Sequence, residues 1–243
     1  MTVTIDAIDL SNWNKQSMDF AAASKAGVKI VWHKATEGSG FTDSWYRIRR
    51  GQVAGHAAFG AYHFARPGDP VQQARFFLNA ASIKPGDARP MLDLEDPTMG
   101  GWSVRKRTRW VRRWVAEVQA VTNVPPVIYT RFPLNDNFDC PLWVARYSNP
   151  MWAPMVPRPW KAWSIWQYTN GVFGSPNTVP GVGHCDINTF NKGVTVDMLT
   201  LQPEKKLAPV PVQAARRIRS IHALRPGVKR LLQRAAAWAR RNG

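Results

Sequence analysis

Cysteine, acidic residues and long apolar runs are all scarce in this chain. Two cysteines among 243 residues, Cys140 and Cys185, do not make a disulfide framework, although a single bridge between them stays open. No Cys-x-x-Cys and no His-Glu-x-x-His motif occurs, which argues against structural or catalytic zinc. No Gly-x-Ser-x-Gly elbow occurs, which removes one class of serine hydrolase. A Gly-rich phosphate loop is missing too, which weakens an open doubly wound sheet. No apolar run approaches the roughly 18 residues needed to span a bilayer. The opening segment, MTVTIDAIDLSNW, lacks a basic stretch followed by an apolar one, so no signal peptide is expected. The expectation is a soluble protein made in the cytoplasm, which acts outside the membrane only if something else releases it.

What is abundant is positive charge. Lys and Arg number 33 against 16 Asp and Glu, a net of +17. From Pro203 onward there are eleven basic residues and one Glu, so that +10 sits on the last stretch of chain. A basic surface seeks polyanions: nucleic acid, anionic lipid or wall polymers. The densest charge lies on a tail rather than interleaved with aromatics on one platform, so no specific nucleic-acid partner is expected. Trp is also frequent, at 12 residues, and Trp rings serve both cores and sugar-binding faces.

The hydrophobic share of 44% supports a real core. Short β-rich runs predict strands over 5–10, 29–34, 58–64, 90–95, 127–130, 142–146, 164–168 and 184–187. Helical stretches are predicted over 19–26, 43–54, 70–81 and 103–121. In the last, Ser103 is the expected N-cap, and Trp110, Trp114, Val118 and Val121 repeat at helical spacing as packing residues. After Thr130 strand-like runs follow one another through Pro- and Asn-rich loops. Early βα alternation implies parallel strands. The fold class expected is α/β, an irregular TIM-like barrel. The expected domains are a catalytic barrel at 1–201, a Pro-rich linker at 202–211 and a basic amphipathic helical tail at 212–243. That tail is read either as a solvated extension or as an adhesive for anionic wall polymers or a membrane surface. Envelope adhesion is the favoured reading, and a monomer is expected.

Asp93 and Glu95 stand two apart at a strand end, which puts both side chains on one face. Asp9 closes the first strand and Asp186 lies in the eighth, its neighbour once a barrel closes. The C-terminal ends of barrel strands carry active sites. Crowded carboxylates repel, so one should hold a proton near neutral pH. A protonated acid beside an ionised partner is what glycoside hydrolysis needs. An isolated Asp-x-Glu is also common as a solvated strand end or an ion pair, and a carboxylate cluster could instead bind Mg²⁺ or Ca²⁺. Placement with two further carboxylates favours acid–base chemistry, with no metal and no cofactor expected. His33, His56, His63 and His184 are read as hydrogen-bonded core histidines.

Several short segments, in order, carry a resemblance. They are Ile8-Asp9-Leu10-Ser11, Lys34-Ala35-Thr36-Glu37-Gly38, Gly60-Ala61-Tyr62-His63-Phe64 and Leu92-Asp93-Leu94-Glu95. Then follow Ile128-Tyr129-Thr130, Leu142-Trp143-Val144-Ala145-Arg146-Tyr147, Trp166-Gln167-Tyr168 and Asp186-Ile187-Asn188. Together they resemble the glycoside hydrolase family 25 lysozymes, the Chalaropsis-type muramidases frequent among phage endolysins. Asn14, where that family often has Gln, and His33, where it has an apolar residue, depart from the pattern. The resemblance implies a flattened barrel of about five βα units and three further strands. It implies cleavage of the β-1,4 bond between N-acetylmuramic acid and N-acetylglucosamine in peptidoglycan. Glu95 would be the general acid, with Asp93, Asp9 and Asp186 around the reacting sugar. Tyr62, Tyr129, Trp143, Tyr147 and Trp166 would line the groove, and Lys34 and Glu37 would support it. Retention of configuration is favoured, with Asp93 either a nucleophile or an orienter of the substrate's N-acetyl group. Phage-type release by a separate membrane-permeabilising protein is the implied route to the wall. A non-catalytic glycan-binding barrel is the competing reading.

Overall fold

A computed structural model describes residues 3–97, 99–148 and 152–202. Apart from Gln202, the expected linker and basic tail lie outside the described residues. No helix among the described residues is long and apolar enough to cross a membrane.

Strand β1 (Ala7–Leu10) leads through α1 (Phe20–Lys25) to β2 (Ile30–Glu37). A two-residue strand, β3 (Phe41–Thr42), folds back on β2 before α2 (Tyr46–Val53). Then come β4 (Ala58–Phe64), α3 (Pro70–Ala81), β5 (Met91–Leu94) and α4 (Val104–Thr122). Beyond β6 (Val127–Thr130) the described chain carries no further α-helix. It continues through β7 (Leu142–Ala145), β8 (Ile165–Asn170), a small hairpin of β9 (Thr178–Val179) and β10 (Gly183–His184), and β11 (Asp186–Phe190).

Strands β1, β2, β4, β5, β6, β7 and β8 pair in that order, all parallel. β11 runs antiparallel between β8 and β1 and closes the barrel. The TIM-like barrel expected from the sequence is therefore observed, irregular on the side where helices stop. One expected strand was misplaced. The run at 184–187 straddles a turn: His184 belongs to the hairpin, and the barrel strand starts at Asp186 and continues to Phe190.

Helix boundaries follow local chemistry. Asp19 accepts from the N–H groups of Ala21 and Ala22, Asp69 from Val71, and Ser103 from Lys106. Each satisfies backbone donors that have no partner inside the helix. Pro70 opens α3, where its missing N–H costs nothing. Trp110, Trp114, Val118 and Val121 are buried along α4, as their spacing predicted.

Two separate apolar layers result. The larger lies between the barrel and the helices. The smaller fills the lower barrel with Ile30, Trp32, Met91, Val127, Trp143 and Ile165. Trp32 lies across this interior, and a Cβ on Gly60 would meet its ring at 2.4 Å, so only glycine fits there. The plug leaves the upper barrel as an open cleft.

Candidate active site

Strand pleating sorts the residues of the upper barrel. Asp9 pairs directly with Asp186 across β1 and β11, so both side chains share a face. Asp93, in register with Tyr129 on β6, points the same way, and Glu95 follows just past β5. All four carboxylates line one cleft of about 250 Å³. Tyr62, Tyr129 and Tyr147 line it too, with Lys34 at one side.

Asp9 is buried but well held. Gln167 Nε2 donates to it at 2.9 Å from each oxygen, and Asn188 Nδ2 donates at 2.8 Å. The Gln167 amide is itself oriented, because its Oε1 accepts from the hydroxyls of Tyr129, at 3.1 Å, and Tyr147. Asp93 contrasts with Asp9: its Oδ1 is buried with no hydrogen-bond partner. Lys34 Nζ sits 3.4 Å from Glu37, which also accepts from Arg66 Nε at 2.8 Å. Lys34 is thus partly neutralised by Glu37 rather than paired to the acid cluster.

Four carboxyls in one desolvated cleft cannot all ionise near neutral pH. Burial raises Asp9 to about 6, against the hydrogen bonds from Asn188 and Gln167. Burial, then the charge of Asp9, lifts Glu95 to about 7, with Arg131 pulling the other way. Burial, then Asp9 and Glu95, holds Asp186 at about 8. Asp93 is pushed well above the carboxylate range by burial first, then by Glu95 and Asp9, with Lys34 opposing. The cleft therefore offers, near neutral pH, an ionised Asp9 beside groups that keep protons. That is acid–base equipment for a bond whose leaving oxygen must be protonated.

The sequence model of the glycosyl hydrolases family 25 matches residues 8–174, well over half of the chain. The chain belongs to glycosyl hydrolase family 25. It is a glycoside hydrolase, an N-acetylmuramidase of the lysozyme kind. It is similar to lysozyme M1 of Streptomyces globisporus, at 29% identity over 78% of this chain and 69% of that protein. It is also similar to the N,O-diacetylmuramidase of Chalaropsis, at 30% identity over 73% of this chain and 95% of that one. Its fold matches the crystal structure of a bacterial lysozyme from Streptomyces coelicolor with a TM-score of 0.72 and 28% identity, over 84% of this chain and 99% of that one.

Within this family 25 hydrolase, two of the residues expected at the groove are elsewhere. Trp143 faces into the barrel but one layer too deep. It is fully buried, 4.9 Å from Trp32 between ring centroids, and belongs to the plug. Trp166 faces the outer layer, fully buried, with its Nε1 donating to Arg146 O. Its neighbour Gln167 faces inward instead. Five residues not expected at the site from the sequence also line the cleft: Ser11, Phe64, Met91, Gln167, and Trp13, which is 85% exposed. A register irregularity between Ile187 and Asn188 in the β8–β11 pairing sets which β8 side chains face inward, and simple alternation counted from Asp9 does not lead to Gln167. The histidines also divide. His63 is a core residue between Thr36 and Gln73, and His33 is buried beneath α2, whereas His56 and His184 are exposed. Cys140 and Cys185 are both buried and unbridged.

Proposed function

We propose that the chain hydrolyses the β-1,4 bond after N-acetylmuramic acid in peptidoglycan with Glu95 as the general acid. The observation that carries this reading is the cluster itself. Three strands, β1, β5 and β11, bring four carboxylates to one cleft, and Glu95, at the open end, holds its proton to about 7. Glu95 protonates the leaving oxygen, and the ionised Asp9 stabilises the positive charge that develops on the sugar ring. Tyr129 and Tyr147 keep Asp9 in place through the Gln167 amide. The unpartnered Asp93 Oδ1 faces the same reacting centre, where it can accept a substrate N–H; attack on the anomeric carbon would first require loss of the proton that Asp93 holds.

Tyr62 forms the floor, and Trp13 at the rim offers an exposed ring for a sugar face. The loop that carries Trp13 is fixed from below. Asp43 accepts from Asn12 N–H at 2.7 Å, and buried Arg49 donates to Asn14 O and Gln16 O at 2.6 and 2.8 Å. A fixed loop holds the ring in place before substrate arrives.

The test is mass spectrometry of purified peptidoglycan after digestion. New reducing ends that are N-acetylmuramic acid are expected. Reducing ends that are N-acetylglucosamine, or fragments with no new reducing end, would overturn the reading.

A further inference from the structure

Outside the cleft, the strongest unexplained feature is the exposed face of α4. This helix carries six basic residues and one acidic residue, Glu117. Arg105, Lys106, Arg109, Arg112 and Arg113 are exposed, and all lie in its N-terminal half. The arrangement opposes local stability. Cations near a helix N-terminus face the positive end of the helix dipole. Arg105 with Arg109, and Arg109 with Arg113, are like charges four apart, which repel. Little nearby offsets them. Arg112 and Arg113 reach Asp136 and Asp69 only at 3.4 Å, on the exposed surface. Arg105, Lys106 and Arg109 form no ion pair among the described residues.

The face is also shaped. Two depressions, about 420 and 260 Å³, lie on either side of Arg109, which lines both. The larger has Trp102 in its wall, with Lys106 Nζ 3.9 Å from the ring centroid, and Asp69 as its one acid. Buried Arg107 anchors this end of the helix. It donates to the carbonyls of Met99, Gly100, Trp102 and Pro133 and so ties the helix to the loop that follows Glu95. The cations from Arg105 to Arg113 form a row roughly 12 Å long, at 1.5 Å per residue. A row suits an extended polyanion better than one small anion, which would need donors converging on a point.

We propose that the α4 face binds a phosphodiester-linked polyol polymer of the bacterial wall and holds the hydrolase against it. The proposal rests on the peptidoglycan reading, because the enzyme's substrate places such polymers beside the enzyme. Attraction would be electrostatic and salt-sensitive.

The experiment uses the full chain, its basic tail included, so that the tail is common to every sample. The variant is Arg105→Gln with Arg109→Gln and Arg112→Gln, and its control replaces the same three with Lys. Binding is measured to intact Gram-positive walls, to walls stripped of phosphodiester polymer, to soluble poly(glycerol phosphate), and to duplex DNA. The Gln variant is expected to bind intact walls and poly(glycerol phosphate) on the order of tenfold more weakly at low salt, with a shallower salt dependence. The Lys variant should match the wild type, and all three should digest stripped walls at rates within about twofold of one another. Unchanged binding by the Gln variant, or equal wild-type binding to intact and stripped walls, would overturn the proposal. So would a loss confined to DNA, which would make nucleic acid the partner. Failure of the wild type to digest stripped walls would instead defeat the muramidase reading.

Discussion

Strands β1 and β5 each have a buried carboxylate near both ends, and the two ends of the barrel treat it differently. At the lower end, Asp6 pairs with Lys29 at 2.5 Å and Asp87 with Arg50 at 2.7 Å. Asp6 also accepts from Thr189 Oγ1 and the Phe190 N–H. Burial pushes Asp6 upward, but Lys29, Thr4 and Phe190 outweigh it and hold it below its ordinary value. Asp87 stays above its ordinary value because burial outweighs Arg50. At the upper end, Asp9, Asp93, Glu95 and Asp186 face one another across a cleft. Lys34, the cation that lines it, is shared with Glu37. Asp6 and Asp87, which precede β1 and β5, sit in ion pairs below, whereas the carboxylates above crowd one another in a single cleft. Charges that hold a fold are compensated, while charges that react are left under tension by desolvation and by one another.

Substitutions at the two ends should therefore separate stability from turnover. Glu95→Gln should lower kcat about 10³-fold while leaving the melting temperature unchanged or slightly raised, since it removes a repelled group. Steady-state hydrolysis of purified wall together with thermal melting reads both. Asp87→Asn should do the reverse. It leaves Arg50 largely buried without its partner, and a loss on the order of 3 kcal/mol in stability is expected, with kcat kept. Equal losses of turnover in the two variants would erase the contrast.

A smaller effect concerns pH. Asp186 keeps its proton to about 8 in the folded chain, against an ordinary 3.8. The folded state thus binds a proton more tightly than the unfolded state does. The stability this gives is complete below about 3.8 and is lost as pH rises through about 8. Asp186→Asn should therefore melt above the wild type on the alkaline side, with the gap closing toward acid. A gap that widened toward acid would reverse the sign and contradict the assignment. The smallest effect is expected at the rim. Trp13→Ala should raise KM about fivefold, roughly 1 kcal/mol, with kcat nearly unchanged. A fall in kcat alone would move Trp13 from binding to chemistry.

Much of this was legible in the sequence. Alternation placed Asp93 and Glu95 on one face, and barrel closure made Asp9 and Asp186 neighbours, because both follow from strand geometry. Aromatic identity was a poorer guide. Trp143 has the inward parity of a groove residue but sits at the level of Trp32, and strand height in a barrel depends on stagger between strands. Trp166 has the outward parity, and the inward place beside it belongs to Gln167, an amide whose value lies in orienting Asp9. Trp13 sits in a loop, where no periodicity marks which side chain faces the cleft. The basic run on α4 was written in the sequence too. Its meaning depended on which residues are exposed and which, like Arg107, are buried against carbonyls.

The central claim is that Glu95 is protonated near neutral pH because burial and the charge of Asp9 outweigh the pull of Arg131. A ¹³C NMR titration of the glutamate side-chain carboxyls, with the Glu95 signal assigned by its loss in Glu95→Gln, measures this directly. The account predicts a midpoint of about 7, and titration at the ordinary 4.5 would contradict it.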